Sequence, residues 1–140
     1  MVLTAKQEEG LKIALERWKL GEKYTCIAGY AGSGKSTLIK FIISAMNLNP
    51  EEVRYIAYTG KAANVLKNKG CQGAMTAHKL LYRARLMPNG TYKFLPRPRE
   101  EIREEQIKVV VIDEVSMLPK KIWDLLCQND FYILACGDPE

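Results

Sequence analysis

Between Glu52 and Glu100 the 140-residue chain has no acidic residue. Residues 54 to 99 hold ten Lys or Arg: Arg54, Lys61, Lys67, Lys69, Lys79, Arg83, Arg85, Lys93, Arg97 and Arg99. Tyr55, Tyr58, Tyr82, Tyr92 and Phe94 lie among them, so the segment offers cations for a phosphate backbone and rings for unpaired bases. Nucleic acid is the expected partner, and a solvated basic face is the competing reading. The four cysteines, Cys26, Cys71, Cys127 and Cys136, never form a C-x-x-C pair, which argues against a zinc site or a disulfide framework. Reduced thiols are expected, with Cys26 and Cys136 packed inside strands. No apolar run approaches the ~18 residues of a membrane span, and no apolar stretch of signal-peptide form opens the chain. A soluble, intracellular protein without a membrane partner is expected, in the cytoplasm or, if phage-encoded, the host cytoplasm. There is no internal repeat or low-complexity tract, and the length suits one domain over residues 1–140.

What is present alternates between two periodicities. Leu11, Ala14, Leu15 and Trp18 recur at helical spacing behind a capping-box pattern at Thr4–Gln7, predicting a helix from about Thr4 to Lys19. Tyr24–Ala28 is a short apolar run that predicts a buried strand, and a second helix runs from Lys35 to Met46. Val53–Thr59 predicts a strand, Gly60–Asn68 a helix, and a further helix starts near Thr76. Pro88-Asn89-Gly90 between two short runs predicts a hairpin, an insertion over about 83–97. A charged stretch leads to the strand-like run Ile107–Ile112, then to a helix and a last strand ending near Cys136 and Gly137. This alternation predicts an α/β fold, a mainly parallel sheet with helices on both faces.

Gly29-Tyr30-Ala31-Gly32-Ser33-Gly34-Lys35-Ser36 matches G-x-x-x-x-G-K-[ST]. Glycines there let backbone N–H groups face phosphate oxygens, and the following helix aims its positive end at them. Lys35 would hold the β- and γ-phosphates, Ser36 would ligate Mg²⁺, and Thr37 would bond the α-phosphate; Gly29, Ala31, Gly32, Ser33 and Gly34 complete the cradle. ATP with Mg²⁺ is the expected ligand pair. Val109–Ile112 followed by Asp113-Glu114 supplies the other half: an apolar strand presents Asp113 to the metal, and Glu114 orients or deprotonates the attacking water.

In this order the motifs resemble the superfamily 1 DNA helicases, the RecD-like and Dda-like branch that moves 5′ to 3′. Gly29–Ser36 looks like motif I, Thr59–Ala63 like motif Ia, Thr76–Leu81 like motif Ib, Asp113–Met117 like motif II and Gly137-Asp138-Pro139 like the start of motif III. The resemblance implies a RecA-like P-loop NTPase domain, ATP hydrolysis coupled to movement on single-stranded DNA, and DNA contacts at Thr59, Gly60, Lys61, Thr76 and His78. It places Asp138 at the nucleotide. Leu3–Gln7 is similar to the family's adenine-reading segment, giving Gln7 a contact to the base. The hairpin corresponds to a small inserted subdomain used as a wedge, with Tyr92 or Phe94 as a stacking pin and a plain solvent hairpin as the alternative.

The family pattern would continue past Glu140 into a glutamine and a second RecA-like domain in cis, which supplies arginines to the ATP site. Residues 1–140 alone are therefore expected to bind nucleotide weakly, to hydrolyse it slowly and not to unwind DNA; their oligomeric state is not legible. Two other classes stay open: a different phosphate-loop enzyme such as a small kinase, and a nucleotide- or nucleic-acid-binding module that does not turn over.

Overall fold

The structure, a computed structural model, describes residues 5–28, 34–71 and 73–137, with backbone alone for 28 and 34–37. Five strands form a parallel sheet in the order β1-β7-β6-β2-β3: β1 Tyr24–Ala28, β2 Val53–Ala57, β3 Met75–Thr76, β6 Val109–Ile112 and β7 Tyr132–Gly137. A separate antiparallel pair is built by β4 Tyr82–Leu86 and β5 Tyr92–Pro96. The helices are α1 Ala5–Lys19, α2 Gly34–Met46, α3 Gly60–Asn68, α4 Ala77–Leu81, α5 Arg99–Arg103 and α6 Lys120–Cys127.

All four residues of β6 are buried, as are all six of β7. Parallel strands covered on both faces need apolar side chains at every position, so the run Val109–Ile112 reads as continuous rather than alternating. Alternation reappears in the partners. Val109, Val111, Leu134 and Cys136 pack with Ala14 of α1 and Leu38, Ile39 and Ile42 of α2. Val110, Ile112, Ile133 and Ala135 pack on the other face with Leu80 and Leu81 of α4, Ile102 of α5, and Ile122 and Leu126 of α6. Each buried Val, Leu or Ile among them contributes about 1.5–3 kcal/mol, which makes these two strands the centre of the molecule.

β1 lies at the sheet's edge among the described residues. Thr25 and Ile27 are buried under α1 and α2, but Tyr24 and Cys26 face the side that α6 covers only as far as Trp123, whose ring meets Tyr24 edge-on at 5.1 Å. Cys26 is therefore exposed, against the expectation that it packs inside its strand. α1 is pinned to this edge by polar contacts. Arg17 donates from Nε and Nη2 to the Tyr24 carbonyl, at 3.2 and 2.9 Å, and from Nε to Thr25 Oγ1 at 3.1 Å. Thr25 Oγ1 in turn bonds the Tyr132 hydroxyl, whose burial pushes its pKa up.

Predicted boundaries shift where capping decides them. β2 ends at Ala57 rather than Thr59, because Thr59 turns to cap α3, its Oγ1 accepting from the Ala62 N–H at 3.1 Å. Thr76 does the same for α4, accepting from the Lys79 N–H at 3.2 Å, and also closes the short β3, which apolar periodicity over two residues could not signal. The hairpin is closed by the Met87 N–H donating to the Thr91 carbonyl at 2.7 Å and the Gly90 N–H to Met87 at 3.0 Å. Asn89 Oδ1 accepts from the Thr91 N–H, and Gly90 takes φ 85°, giving a three-residue loop ending in a left-handed glycine.

The charged stretch after the hairpin folds as α5, and its acids reach back into the acid-free segment. Arg83 and Arg97 pair with Glu101, Arg97 and Arg54 with Glu105, and Arg99 and Arg103 with Asp130. Four of the ten segment cations, Arg54, Arg83, Arg97 and Arg99, are thus neutralised by structure. Lys61, Lys67, Lys69, Lys79, Arg85 and Lys93 form no ion pair among the described residues.

Hydrogen bonds from Arg103 hold the Asp130 carboxyl below its ordinary range, with Arg99 adding to the effect. A depressed folded-state pKa gives stability that is present above the unfolded value near ~3.9 and lost as pH falls through the folded value. Asp130→Asn should therefore lower the urea midpoint slightly at pH 7, since the group is exposed, and the deficit should vanish on acidification to about pH 2. Urea titrations of both chains across that range check it.

Candidate functional site

Because all five strands run the same way, their C-terminal ends share one rim. The register sets Ala28 beside Gly137, Ile112 beside Ala135, Ile112 beside Ile56, and Ala57 beside Thr76. Successive strands stand about 4.8 Å apart, so reading the rim from β1 to β3 gives the order of the loops. First comes the junction from Ala28 to Gly34, then Gly137, then Asp113-Glu114, then Thr59-Gly60-Lys61, then Thr76 leading to His78. Ligands of open α/β sheets bind outside the carboxyl ends of strands, and the described loops that carry Asp113, Glu114, Thr59, Gly60, Lys61, Thr76 and His78 fall there.

Gly29, Ala31, Gly32, Ser33 and Asp138 lie outside the described residues. The backbone of Gly34, Lys35, Ser36 and Thr37 forms the first turn of α2, whose N-terminus opens on this rim. Arg17, near the end of α1, touches Tyr24 at the start of β1, so α1 runs back along β1 and carries Gln7, half-buried in its first turn, toward the same end. Thr4, the other half of the expected capping box, is outside the described residues.

Asp113 is half-buried one residue past β6, with its N–H donating to the Ile56 carbonyl at 3.0 Å. β2 therefore sets the height of this carboxylate above the sheet. Glu114 is exposed and takes φ 53° and ψ 58°, a left-handed conformation that costs a residue with a Cβ about 1–2 kcal/mol. A single turn of 3-10 helix follows at Val115–Met117, its Met117 N–H donating to the Glu114 carbonyl at 3.0 Å. The turn is held from β7: Gly137 has φ 155°, and a Cβ there would meet the Val115 nitrogen at 3.2 Å and Val115 Cγ1 at 3.3 Å. Gly137 opens the motif-III-like Gly137-Asp138-Pro139, a pattern that assigns the glycine itself no task. Its closeness to the Asp113-Glu114 turn is legible only once β7 lies beside β6.

On the far half of the rim, Lys61 is exposed in the first turn of α3 and His78 is exposed on α4. The Thr59 and Thr76 hydroxyls are engaged as helix caps. The His78 ring stacks on Tyr82 at 5.3 Å and lies 6.0 Å from Tyr58. Both tyrosines belong to the rings interleaved in the acid-free segment, and each flanks a motif position. Burial raises the pKa of Cys71, and its electrostatic neighbours include Lys40 and Asp113.

Among the described residues no group of three or more His, Cys, Asp or Glu could hold a metal by itself. One carboxylate at a phosphate site is instead the donor set of a hard cation held largely by its substrate. A cavity of about 530 Å³ lies at the opposite end of the sheet, between Glu52, Arg99, Arg103, Lys108 and Asp130. These residues precede β2, β6 and β7 or lie on α5, and the three cations are all paired to Asp130 or Glu52, so the cavity is not the phosphate site.

A parallel sheet with helices on both faces, a phosphate-loop signature between its edge strand and helix, and an acidic pair at the end of a buried strand define a nucleotide-binding P-loop domain. The chain belongs to the AAA domain family, which matches residues 12–140. It is similar to the ATP-dependent DNA helicase dda of Enterobacteria phage T4, 29% identical over 126 residues, covering 89% of this chain and 28% of that protein. It is also similar to the ATP-dependent DNA helicase PIF7 of Trypanosoma brucei brucei (strain 927/4 GUTat10.1), 31% identical over 122 residues, covering 81% of this chain and 11% of that one. In fold it matches a crystal structure of Bacteroides Pif1 bound to ssDNA, with TM-score 0.62 and 22% identity over 99% of this chain and 32% of that one. These matches make it an N-terminal domain of the superfamily 1 helicase type, and the chain spans less than a third of the length of each.

The contact of Gly137 with Val115 gives a direct test. Gly137→Ala should destabilise the fold by about 1–3 kcal/mol, because the obstacle is backbone in a packed turn. Glu114→Gly should be neutral or stabilising by up to ~1 kcal/mol, since it removes the left-handed penalty. Urea unfolding of the two variants against the parent measures both signs.

Proposed function

We propose that residues 1–140 form the ATP-binding motor domain of an ATP-dependent DNA helicase that moves 5′ to 3′ on single-stranded DNA. The observation that carries the reading is the rim order. The acidic pair and the Thr59–Lys61 turn follow adjacent parallel strands, β6 and β2, and only β7 separates β6 from the edge strand that leads into the phosphate-loop signature, so a change at the acidic pair is one strand away from the DNA track.

In this reading Lys35 neutralises the β- and γ-phosphates, Gly29, Ala31, Gly32, Ser33 and Gly34 offer backbone N–H groups, and Thr37 bonds the α-phosphate. Ser36 and Asp113 would hold Mg²⁺, which supplies charge neutralisation to the phosphates undergoing transfer. Glu114 accepts a proton from the attacking water, and Asp138 contacts the nucleotide. Gln7 reads the adenine edge from the first turn of α1. Thr59, Gly60, Lys61, Thr76 and His78 line the strand. The Thr59 and Thr76 hydroxyls, which accept as caps, keep their O–H groups for a phosphate, and Lys61, exposed in the first turn of α3, is the direct cation. A second RecA-like domain in cis would complete the ATP site with arginines, a contribution of about 10³ to 10⁵ in rate in related phosphoryl transfers, so residues 1–140 alone hydrolyse slowly and do not unwind.

Lys35→Ala should weaken ATP binding about 10- to 150-fold, the loss of a charge-assisted hydrogen bond. Glu114→Gln should keep nucleotide affinity within about 2-fold while lowering single-turnover hydrolysis by about 10² or more. Unchanged ATP affinity in the lysine variant overturns the nucleotide reading. Single-stranded DNA binding should weaken with salt, and Lys61→Ala should flatten that slope by about 0.7. ATP binding without retention of single-stranded DNA would point to a different phosphate-loop enzyme.

A further inference from the structure

The cavity of about 530 Å³ at the N-terminal end of the sheet is used by neither the nucleotide nor the DNA reading. Its size falls in the range of about 300–1,000 Å³ at which pockets hold ligands. The floor is apolar: Ile102 of α5 and Phe131 are almost fully buried, and Ile107 is partly buried beside them. The rim is charged. Arg99 and Arg103 stand one turn apart on α5, while Lys108, Glu52 and Asp130 come from the segments that lead into β6, β2 and β7.

This rim is ordered before anything binds. Asp130 Oδ1 accepts from Arg99 Nη2 at 3.1 Å and Oδ2 from Arg103 Nε at 2.7 Å, so one carboxylate orients two guanidinium forks. Lys108 Nζ lies 3.3 Å from Glu52 Oε2. The Lys108 backbone is tied on both sides, its N–H donating to the Glu52 carbonyl at 2.8 Å and its carbonyl accepting from the Tyr132 N–H at 2.9 Å. Each guanidinium carries five N–H donors, of which Asp130 takes one from each arginine. Three cations against two carboxylates leave an excess positive charge, and Lys23 adds a fourth cation by donating to the carbonyl of Asn129, another lining residue. Pairing lowers the worth of such cations to a mobile polyanion, which would release fewer counterions. It also removes much of the cost of ordering these side chains when a single carboxylate docks.

We propose that this cavity docks a short acidic peptide segment of a partner protein, with one apolar side chain on the floor and flanking carboxylates on Arg99, Arg103 and Lys108. The chemistry of the rim selects this class. Glu52 and Asp130 accept hydrogen bonds, the three cations donate them, and Gln106 can do both. A peptide backbone offers N–H and C=O groups together, whereas a phosphate backbone offers acceptors alone and would meet two fixed carboxylates. In an extended segment, alternate side chains stand about 6.6 Å apart on one face, so an acid two residues to either side of the apolar anchor shares its face. Lys108 and Asp113 bracket β6, which puts the cavity about 16 Å along the strand from the acidic pair. Peptide and nucleotide therefore occupy opposite ends of the domain.

The test titrates the 140-residue chain into a fluorescein-labelled peptide with the core Asp-Ser-Phe-Ser-Asp, blocked at both ends, at constant salt. Two control peptides carry Asn-Ser-Phe-Ser-Asn and Asp-Ser-Ala-Ser-Asp. The acidic phenylalanine peptide should bind at least about 5-fold more tightly than either control. Arg103→Gln with Lys108→Gln should abolish the preference over the asparagine control and leave ATP affinity unchanged, with melting temperatures confirming that the variant folds. Backbone amide shifts on adding the peptide should concentrate at residues 102–108 and 129–131, and an oligothymidine should not displace it. Equal binding of the three peptides, no binding up to about 1 mM, or shifts confined to the loops of the opposite rim overturn the site. Displacement by oligothymidine overturns the peptide assignment and makes the cavity a nucleic-acid surface. Peptide binding that persists in a chain unable to bind ATP supports the site while the nucleotide reading fails alone.

Discussion

Parallel pairing of β6 with β7 on one side and β2 on the other fixes where everything else can be. The register Ile112 to Ala135 and Ile112 to Ile56 sets the ends of three strands level, and the Asp113 N–H extends the β2 ladder by one more bond to the Ile56 carbonyl. A one-residue slip would turn every buried valine and isoleucine of β6 to the opposite face, where the helix packing differs, so the apolar pattern and the position of Asp113 are one constraint. The carboxylate is placed by the same burial that holds the sheet together.

From that level the chain must turn sharply, and the turn stores strain. Glu114 adopts a left-handed conformation that its Cβ disfavours, while Gly137 on the neighbouring strand leaves space that no other residue would leave. The two features explain each other: the 3-10 turn at Val115–Met117 can fold over β7 only if its start bends this way, and only if β7 ends without a side chain. An exposed carboxylate held on a strained turn against a backbone neighbour is sensitive to movement of β7's end, which leads directly to Asp138.

Element types were largely legible because parallel strands and amphipathic helices carry strong periodicities. Helix Gly60–Asn68 and strand Tyr24–Ala28 fall where apolar spacing puts them, and Asn89-Gly90 announces the hairpin through its need for positive φ. β3 was not legible, since two residues have no period, and α5 was hidden in a run whose charges masked Ile102 as its one buried anchor. Cys26 was misread because alternation identifies a buried face only where both sides are covered, and α6 leaves one side of the edge strand open. For the site, motif order located the loops of the rim, but the contact of Gly137 with Val115 and that of Tyr58 with His78 join residues about twenty apart and had no local signal, whereas the His78–Tyr82 stack is an i, i+4 neighbour pair.

Charge shows most clearly how folding edits a sequence-level property. Counted along the chain, residues 54 to 99 form a continuous basic field of ten cations. Folding brings Glu101 of α5, Glu105 just past it and Asp130 against four of them, and these pairs tie the base of the hairpin to α5, with Arg97 also donating to the Leu80 carbonyl of α4 at 2.8 Å. The field that survives has two parts: lysines on and around α3 and α4 near the rim, and Arg85 with Lys93 on the outer hairpin. Between them lie the rings of Tyr58, His78 and Tyr82. The paired arginines orient the hairpin, and the unpaired cations are the ones left to meet an anion. Such a division is what a phosphate track needs, because cations already held by carboxylates release fewer counterions and add less to affinity than free ones.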